Sequence, residues 1–495
     1  MKNKNKLIIN ILKMMLLILA ITTSILFIFV PELKSSDELW NFQNVAKIVN
    51  GFQIYKNANV IITPIFFYIG ALFFKIFGAK MIIFRIYNII IYLLFFFIVY
   101  KILIKLKFSK HIACMSIIIM LIEVASIITS GASYNTLSIL FVLIGLYLYI
   151  SKNTNIFLHA VIMFLVFFTK QNIGITYIAT VVICDLYLNG LSKKSIYNVI
   201  KKLFIFTIFT LIAIFAFYFS GNLKDFINFA FGGIFEFKNK NINIDLSLSL
   251  ALIAVFPFIE YIFIVFQKDK LFKNVLTKEI FNNLTIIIVF TFFASFILYP
   301  IINTAHLLIV LPMHFIFIFY TFDVLILEDF FTSKNSIILI YFLCILLFIP
   351  LTLRIIIHYY LLTTDYSIIR DSQSPYYLTM MNDERVSSNE ILKNYIIEQN
   401  NKNIDVIIVA FDSAFPMIEL KQSHGVYDLV FNGNLGYNGT EKIKKDILNK
   451  RNTEFLIFTN PDDLCYQDST EIRNFIINNL KFKGNIEHYS IYSTN

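Results

Sequence analysis

The sequence predicts a mainly α-helical, polytopic membrane bundle followed by a small α/β domain. Three observations carry that prediction. Of the 495 residues, 58% are hydrophobic and only 15% charged, with 55 phenylalanines; a soluble domain is closer to half apolar and a quarter charged. Apolar runs of about 18 residues or more, the length needed to cross hydrocarbon, recur along most of the chain. After His358 the composition turns polar, and short apolar runs alternate with helical patterns.

In chain order, about eleven spans are expected, at 7–30, 81–100, 112–129, 134–150, 156–169, 173–189, 203–220, 248–266, 284–299, 304–322 and 336–357. The first follows MKNKNK and is too long for a signal peptide, with no small-residue cleavage site after it, so it reads as a retained span. With the N-terminus inside, Lys101, Lys105, Lys107 and Lys110 fall in the cytoplasm. So do Lys193, Lys194, Lys201 and Lys202, and then Lys268, Lys270, Lys273 and Lys278. That distribution obeys the positive-inside rule. It also accounts for a net charge of +10 without any nucleic-acid partner. The four cysteines form no CxxC or His/Cys cluster, so neither a disulfide framework nor a structural zinc site is implied. An odd number of spans places the residues after His358 outside. A membrane domain, 1–357, is therefore expected to carry an extracytoplasmic α/β domain, 358–495. In that domain, 403–414, 453–460 and the last stretch, NIEHYSIYST, read as strands, and 440–450 and 470–480 as helices. Their alternation suggests a parallel sheet. The run NGNLGYNG, 432–439, lacks the G-x-G-x-x-G spacing and reads as a turn into a helix.

Unusual polar residues collect on the outer side. The first loop, 31–80, opens with Asp37 and Glu38 and holds two amphipathic stretches, 38–50 and 64–78. Both suit short helices lying in the interface plane, with Leu, Phe and Ile buried and Asn, Gln and Lys turned to water. Gly51 ends the first and Pro64 starts the second. Arg85 stands at the outer mouth of the second span, and Tyr134 and Asn135 open the fourth. Lys170, Gln171 and Asn172 form the turn between the fifth and sixth. Tyr299, Asn303 and His306 sit where the ninth passes into the tenth, and Arg354 and His358 end the eleventh. Each has a plain alternative: acids at a helix start, snorkelling or anchoring cations, and polar side chains bonded between helices. Together they suit a definite chemistry. Cations at headgroup level would hold the phosphate of a lipid-linked sugar and stabilise the charge that grows on it as the glycosidic bond breaks. A carboxylate would take the proton from an incoming acceptor hydroxyl.

DELW at 37–40, NGFQIYKN at 50–57, TPIFFYIGALFFKIFG at 63–78 and FRIYNII at 84–90 make a pattern. It resembles the GT-C superfamily of integral membrane glycosyltransferases, the class of protein O-mannosyltransferases and the lipid A aminoarabinose transferase. YNTLSILFVLIGLYL, FFTKQNIGI and YPIINTAHLLIVLP are also similar to bacterial members. The resemblance implies a polyprenyl-phosphate-sugar donor, an outward-facing site and inversion in one displacement. By position it implies Asp37 as catalytic carboxylate, with Glu38 beside it in acceptor or metal contact. It implies Lys170 and Arg85 as donor-phosphate ligands and His306 as a phosphate or metal contact. From their own places at the outer face, Arg354 is read with the donor-phosphate ligands and Tyr134, Asn135, Gln171 and Tyr299 as substrate contacts. Some relatives hold a divalent metal ion near this loop and others need none. The chain departs from the commonest pattern in having Asn303, not Asp, before His306. The rival readings are a flippase or transporter of lipid-linked glycans, whose best residue is Glu123 inside the third span, and a glycan polymerase or ligase.

Overall fold

The computed structural model describes residues 36–108, 133–241, 243–245, 248–267, 277–325, 366–410, 414–428, 434–459 and 470–494, with a few isolated positions besides. The expected spans 112–129 and 336–357, nearly all of 7–30, and Glu123, Arg354 and His358 lie outside the described residues.

The helices follow in the order α1 (Ser36–Val49), α2 (Ile65–Phe77), α3 (Met81–Lys105), α4 (Tyr134–Ile150), α5 (Ile156–Thr169), α6 (Gln171–Asn189) and α7 (Lys193–Phe219). After them come α8 (Leu223–Ile227), a π-turn at Asn228–Gly232, α9 (Gly233–Asn241), strand β1 (Asn243–Asp245), α10 (Leu248–Phe266) and α11 (Lys278–Ala294). Strand β2 (Ile301–Asn303) pairs in parallel with β1 and leads into α12 (Thr304–Leu325). Five of these helical segments are long and apolar enough to cross a membrane: α3, α6, α7, Lys278–Leu298 and Thr304–Thr321. Shorter apolar helices accompany them at Ile65–Phe77, Tyr134–Ile150, Ile156–Thr169 and Ala254–Phe266. The protein is a multi-pass membrane protein with a helical bundle, as its composition requires.

The chain divides into two compact units. One comprises Met1–Ile28, Asn88–Ile212 and Asn243–Leu361; the other comprises Phe29–Tyr87, Ala213–Ile242 and Leu362–Asn495. The first loop thus belongs to the same unit as the C-terminal residues.

In the bundle unit, α5 and α6 are joined through Lys170 alone. Gly174 makes that turn possible, because a Cβ there would lie 2.2 Å from the Phe167 Cα. Ser133 caps α4, its Oγ accepting from the Asn135 backbone N–H at 3.1 Å. In the other unit, α1 carries Asp37 and Glu38 in its first turn, where the helix dipole favours acids. Gly51, at φ 90°, then reverses the chain. On α2 the residues Tyr68, Leu72 and Ile76, spaced four apart, are exposed and form one apolar stripe. Such a face suits a helix lying against lipid.

The C-terminal residues form a hairpin of β3 (Tyr366–Ile368) and β4 (Met380–Asn382), then α13 (Asp383–Asn401), β5 (Asp405–Ile408) and α14 (Ala414–Glu419). There follow α15 (Gly439–Asn449), β6 (Thr453–Phe458), α16 (Thr470–Asn479), β7 (Lys481–Ile486) and β8 (Tyr489–Ser493). The sheet order is β5-β6-β8-β7. Only β5 and β6 are parallel; β8 runs antiparallel to both of its neighbours. The expectation of a parallel sheet is corrected here. What reads as one terminal strand, NIEHYSIYST, contains a reversal at Glu487, φ 48°, so it is the second half of a hairpin. The short linker leaves no room for the crossover helix that a parallel partner needs. NGNLGYNG does turn into a helix, α15, with Gly436 at φ 76° packed on Asn228 and Phe229.

Candidate functional site

Asp37 and Glu38 are consecutive on α1, so their side chains diverge by about 100° around the helix. Asp37 is exposed, whereas Glu38 is buried. Arg85 on α3 meets Glu38 side-on, Nε donating to Oε1 at 2.9 Å and Nη2 to Oε2 at 3.3 Å. The guanidinium is only 1% exposed. A pair at this depth is tolerable because the fork geometry satisfies both charges at once. The apolar side of α1 locks onto α2 through Trp40 against Phe67 and Phe42 against Phe74. Asp37 is therefore exposed at the start of a helix packed on α2, while its neighbour is committed to Arg85.

The polar side of α1 departs from expectation. Asn41, Gln43, Asn44 and Lys47 are buried, not turned to water. Amphipathic spacing shows which face is polar but not what covers it. For Lys47 the partner is remote in sequence: its Nζ meets Asp428 Oδ2 at 2.8 Å, with both side chains buried, and also donates to the Asn57 carbonyl at 3.1 Å. Asp428 accepts further from Ser423 Oγ at 2.8 Å and from the His424 N–H at 3.0 Å. The end of α1 is thus tied to the segment after α14. Asn41 Oδ1, Gln43 Nε2 and Asn44 Nδ2, by contrast, are buried without a hydrogen-bond partner among the described residues. Each such orphan costs about 1–3 kcal/mol. Tyr55, in the NGFQIYKN run, donates to the Ile62 carbonyl at 2.7 Å and closes the loop beneath α2. Burial first, and Tyr68 second, push its hydroxyl well above the ordinary tyrosine range.

A second group forms in the bundle unit. Lys170, capping the α5–α6 turn, is buried, and its Nζ donates to Asn135 Oδ1 at 2.6 Å. The same ammonium stands 5.6 Å from the centre of the Tyr134 ring, in cation–π range. His306, in the first turn of α12, lies within electrostatic reach of Lys170. Its backbone N–H and its Nδ1 both meet Asn303 Oδ1, at 2.9 and 2.7 Å. A backbone N–H can only donate, which fixes that Asn303 atom as oxygen. The ring Nδ1 must then carry the hydrogen, and neutral His306 presents Nε2 as an acceptor. Asn172 Nδ2 donates to the Tyr299 carbonyl at 3.4 Å, joining the α5–α6 turn to the approach to α12. Gln171 is buried and Tyr299 half-exposed.

The structure therefore brings Glu38 to Arg85, next in sequence to Asp37, in one unit. In the other it brings Lys170 to Tyr134 and Asn135, with His306 near. Among the described residues, no group of three or more His, Cys, Asp or Glu is placed to hold a metal ion. Two features escaped the sequence reading. One is the buried amide row on α1, signalled by Asp37, Asn41 and Asn44 recurring at helical spacing. The other is a buried ion pair, Lys202 Nζ to Asp185 at 2.7 and 2.9 Å, with Tyr149 donating to Asp185 at 2.8 Å. An aspartate inside an apolar span was its signal. Asp185 is about 22 Å along α6 from Lys170, at the other end of the bundle.

Fold and side chains together define a polytopic membrane protein with an acid-headed first-loop helix and a caged lysine between bundle helices. No protein-family model matches the sequence, and no curated protein matches it either. Solved structures do. ArnT from Cupriavidus metallidurans in the apo state superposes with a TM-score of 0.57 at 9% identity, covering 97% of this chain and 97% of that one. The same protein bound to undecaprenyl phosphate gives 0.57 and 9%, covering 97% of this chain and 98% of that one. At that identity the likeness is one of fold. The chain has the fold of ArnT over nearly its whole length, as the GT-C resemblance of its first loop implies.

Proposed function

We propose that this protein is a membrane glycosyltransferase that moves a sugar from a polyprenyl-phosphate-linked donor to an acceptor hydroxyl on the outer face of the membrane. The observation that carries the reading is the full-length likeness to a structure that holds undecaprenyl phosphate. Asp37, exposed at the head of a braced helix, is the base that takes the acceptor proton. Glu38 and Arg85 fix the start of α1, so that Asp37 is held in place, and Arg85 faces the donor phosphate from within that pair. Lys170, set by Asn135 and Tyr134, holds the phosphate and the charge that develops on it; His306, set by Asn303, joins it when Nε2 also carries a proton, since a bare Nε2 only accepts. An attack on C1 from the side opposite the phosphate inverts the anomeric centre. Tyr134, Asn135, Gln171, Tyr299 and, outside the described residues, Arg354 complete the donor surroundings. Glu38, buried with both oxygens committed to Arg85, does not fit a divalent-ion site shared with Asp37, and no step is routed through a metal.

The test is transfer by the purified protein in nanodiscs from polyprenyl-phosphate hexoses and pentoses. Asp37→Asn keeps the helix start but removes the proton acceptor, so turnover should fall about 100- to 10,000-fold, with donor affinity little changed. Near wild-type turnover by Asp37→Asn would remove Asp37 from the mechanism. Movement of the donor across vesicles without transfer would establish the transporter reading instead.

A further inference from the structure

We infer that Asn41 and Asn44 of α1 form a subsite for the sugar ring of the lipid-linked substrate. The inference rests on the reading above and names residues that it leaves unused. On an α-helix, positions i, i+4 and i+7 share one face, so Asp37, Asn41 and Asn44 make one polar row headed by the proposed base. The Asn41 and Asn44 side chains are each 1% exposed, and Asn41 Oδ1 and Asn44 Nδ2 have no hydrogen-bond partner among the described residues. Native proteins leave few such groups, and those that remain call for a ligand, a water or a functional reason. Neighbouring Lys47 shows that this helix can satisfy a buried polar side chain when the fold requires it, through Asp428 and the Asn57 carbonyl.

The chemistry of the orphans points to a sugar. One is an acceptor oxygen and the other a donor NH2, so the row offers both halves of what a hydroxyl needs. The acceptor, Asn41 Oδ1, would repel phosphate oxygens but takes a hydroxyl proton, which favours a sugar. The repeat along the row is about 5 Å, close to the width of a pyranose ring. A displacement at C1 with Asp37 as base must place the sugar beside Asp37. The acceptor's chemical class is open, whereas the transferred group carries ring hydroxyls by the nature of the reaction.

The experiment compares wild type with Asn41→Leu, Asn44→Leu and the double variant, measuring binding and thermal unfolding in nanodiscs. The probes are bare polyprenyl phosphate and the same carrier bearing glucose, mannose, galactose or arabinose. Wild type should bind at least one sugared carrier more tightly than the bare one. The double variant should lose about 5- to 150-fold in affinity for that carrier, two hydrogen bonds' worth, with binding of the bare carrier unchanged. Without ligand, its unfolding midpoint should stay close to that of wild type, because leucine has the same branching and leaves no orphan polar atom, which offsets its greater bulk. Four results would overturn the inference. One is a lowered midpoint with the sugar preference intact, which would make the amides structural. Another is an equal loss for bare and sugared carriers. A third is a wild type with no preference for any sugar. The last is a rise confined to the acceptor KM, which would assign the row to the acceptor. A wild type that prefers the sugared carrier yet transfers nothing would sustain the subsite and sink the catalytic reading alone.

Discussion

Arg85→Met would leave the Glu38 carboxylate buried at the head of α1 with its fork of donors removed. Removing one partner of a pair this deep costs about 3–5 kcal/mol, because the remaining charge has neither water nor counter-ion. Glu38→Leu should cost a similar amount for the converse reason, taking the carboxylate from a guanidinium that is 1% exposed. Replacing both, Glu38→Leu with Arg85→Met, removes two charges together and should recover most of the loss, since an apolar pair pays no desolvation cost. In a unit of about 200 residues, ~1 kcal/mol moves the unfolding midpoint by about 2–4 °C. Each single variant should therefore fall by roughly 6–20 °C and the double by only a few degrees. Thermal unfolding of the three variants, read by intrinsic fluorescence in detergent, measures the coupling. Additive losses, or single variants within about 1 kcal/mol of wild type, would show that the pair is solvated and that α1 is braced by something else. Transfer by the double variant then separates two roles. If Arg85 only braces α1, the refolded double keeps measurable turnover; if Arg85 grips the donor phosphate, it is stable and inactive.

Three further outcomes follow from the geometry. Lys170→Met removes the ammonium that Asn135 and Tyr134 position, so affinity for bare polyprenyl phosphate should fall about 10- to 150-fold, the worth of one charge-assisted bond; unchanged affinity would place the phosphate elsewhere. Gly436→Ala puts a Cβ 2.7 Å from Asn228 Nδ2 at φ 76°, whereas Gly51→Ala, at φ 90°, meets nothing within 4 Å. Gly51→Ala should therefore cost about 1 kcal/mol of strain and Gly436→Ala clearly more; equal unfolding midpoints would show that the contact yields freely. Tyr427 donates to Asp446 at 2.6 Å, and burial, with Asp446 next, raises its pKa well above the ordinary value. The hydroxyl's stabilisation is thus fully present below about pH 10 and is lost as the pH rises from there toward the folded-state value. Tyrosinate absorbance compared with Tyr427→Phe should show this group ionising only as the unit unfolds; ionisation near pH 10 in the folded protein would refute it.

Local patterns carried much of this molecule. Among the described residues, apolar run length alone locates the bundle helices, because a chain in hydrocarbon must satisfy its backbone internally and has only the helix or the closed barrel to do so. Gly51, Pro64 and the acids at 37 and 38 mark the two first-loop helices to within a few residues, since helix ends are set by nearby donors, acceptors and φ. The grouping of Lys170 with Asn135 and Tyr134 was half legible: each stood at a predicted span end, and two tight turns leave little freedom in where span ends meet. Tertiary structure decided the rest. It gave Arg85 to Glu38 and Lys47 to Asp428, because the partner of a buried charge is set by packing between segments far apart in the chain. It turned the last strand into a hairpin with β7, since strand direction depends on which edge a segment pairs with and not on its own residues. And it buried Asn41 and Asn44: the helical period of a sequence shows that a face is polar, but only the surrounding fold decides whether that face meets water or packed protein.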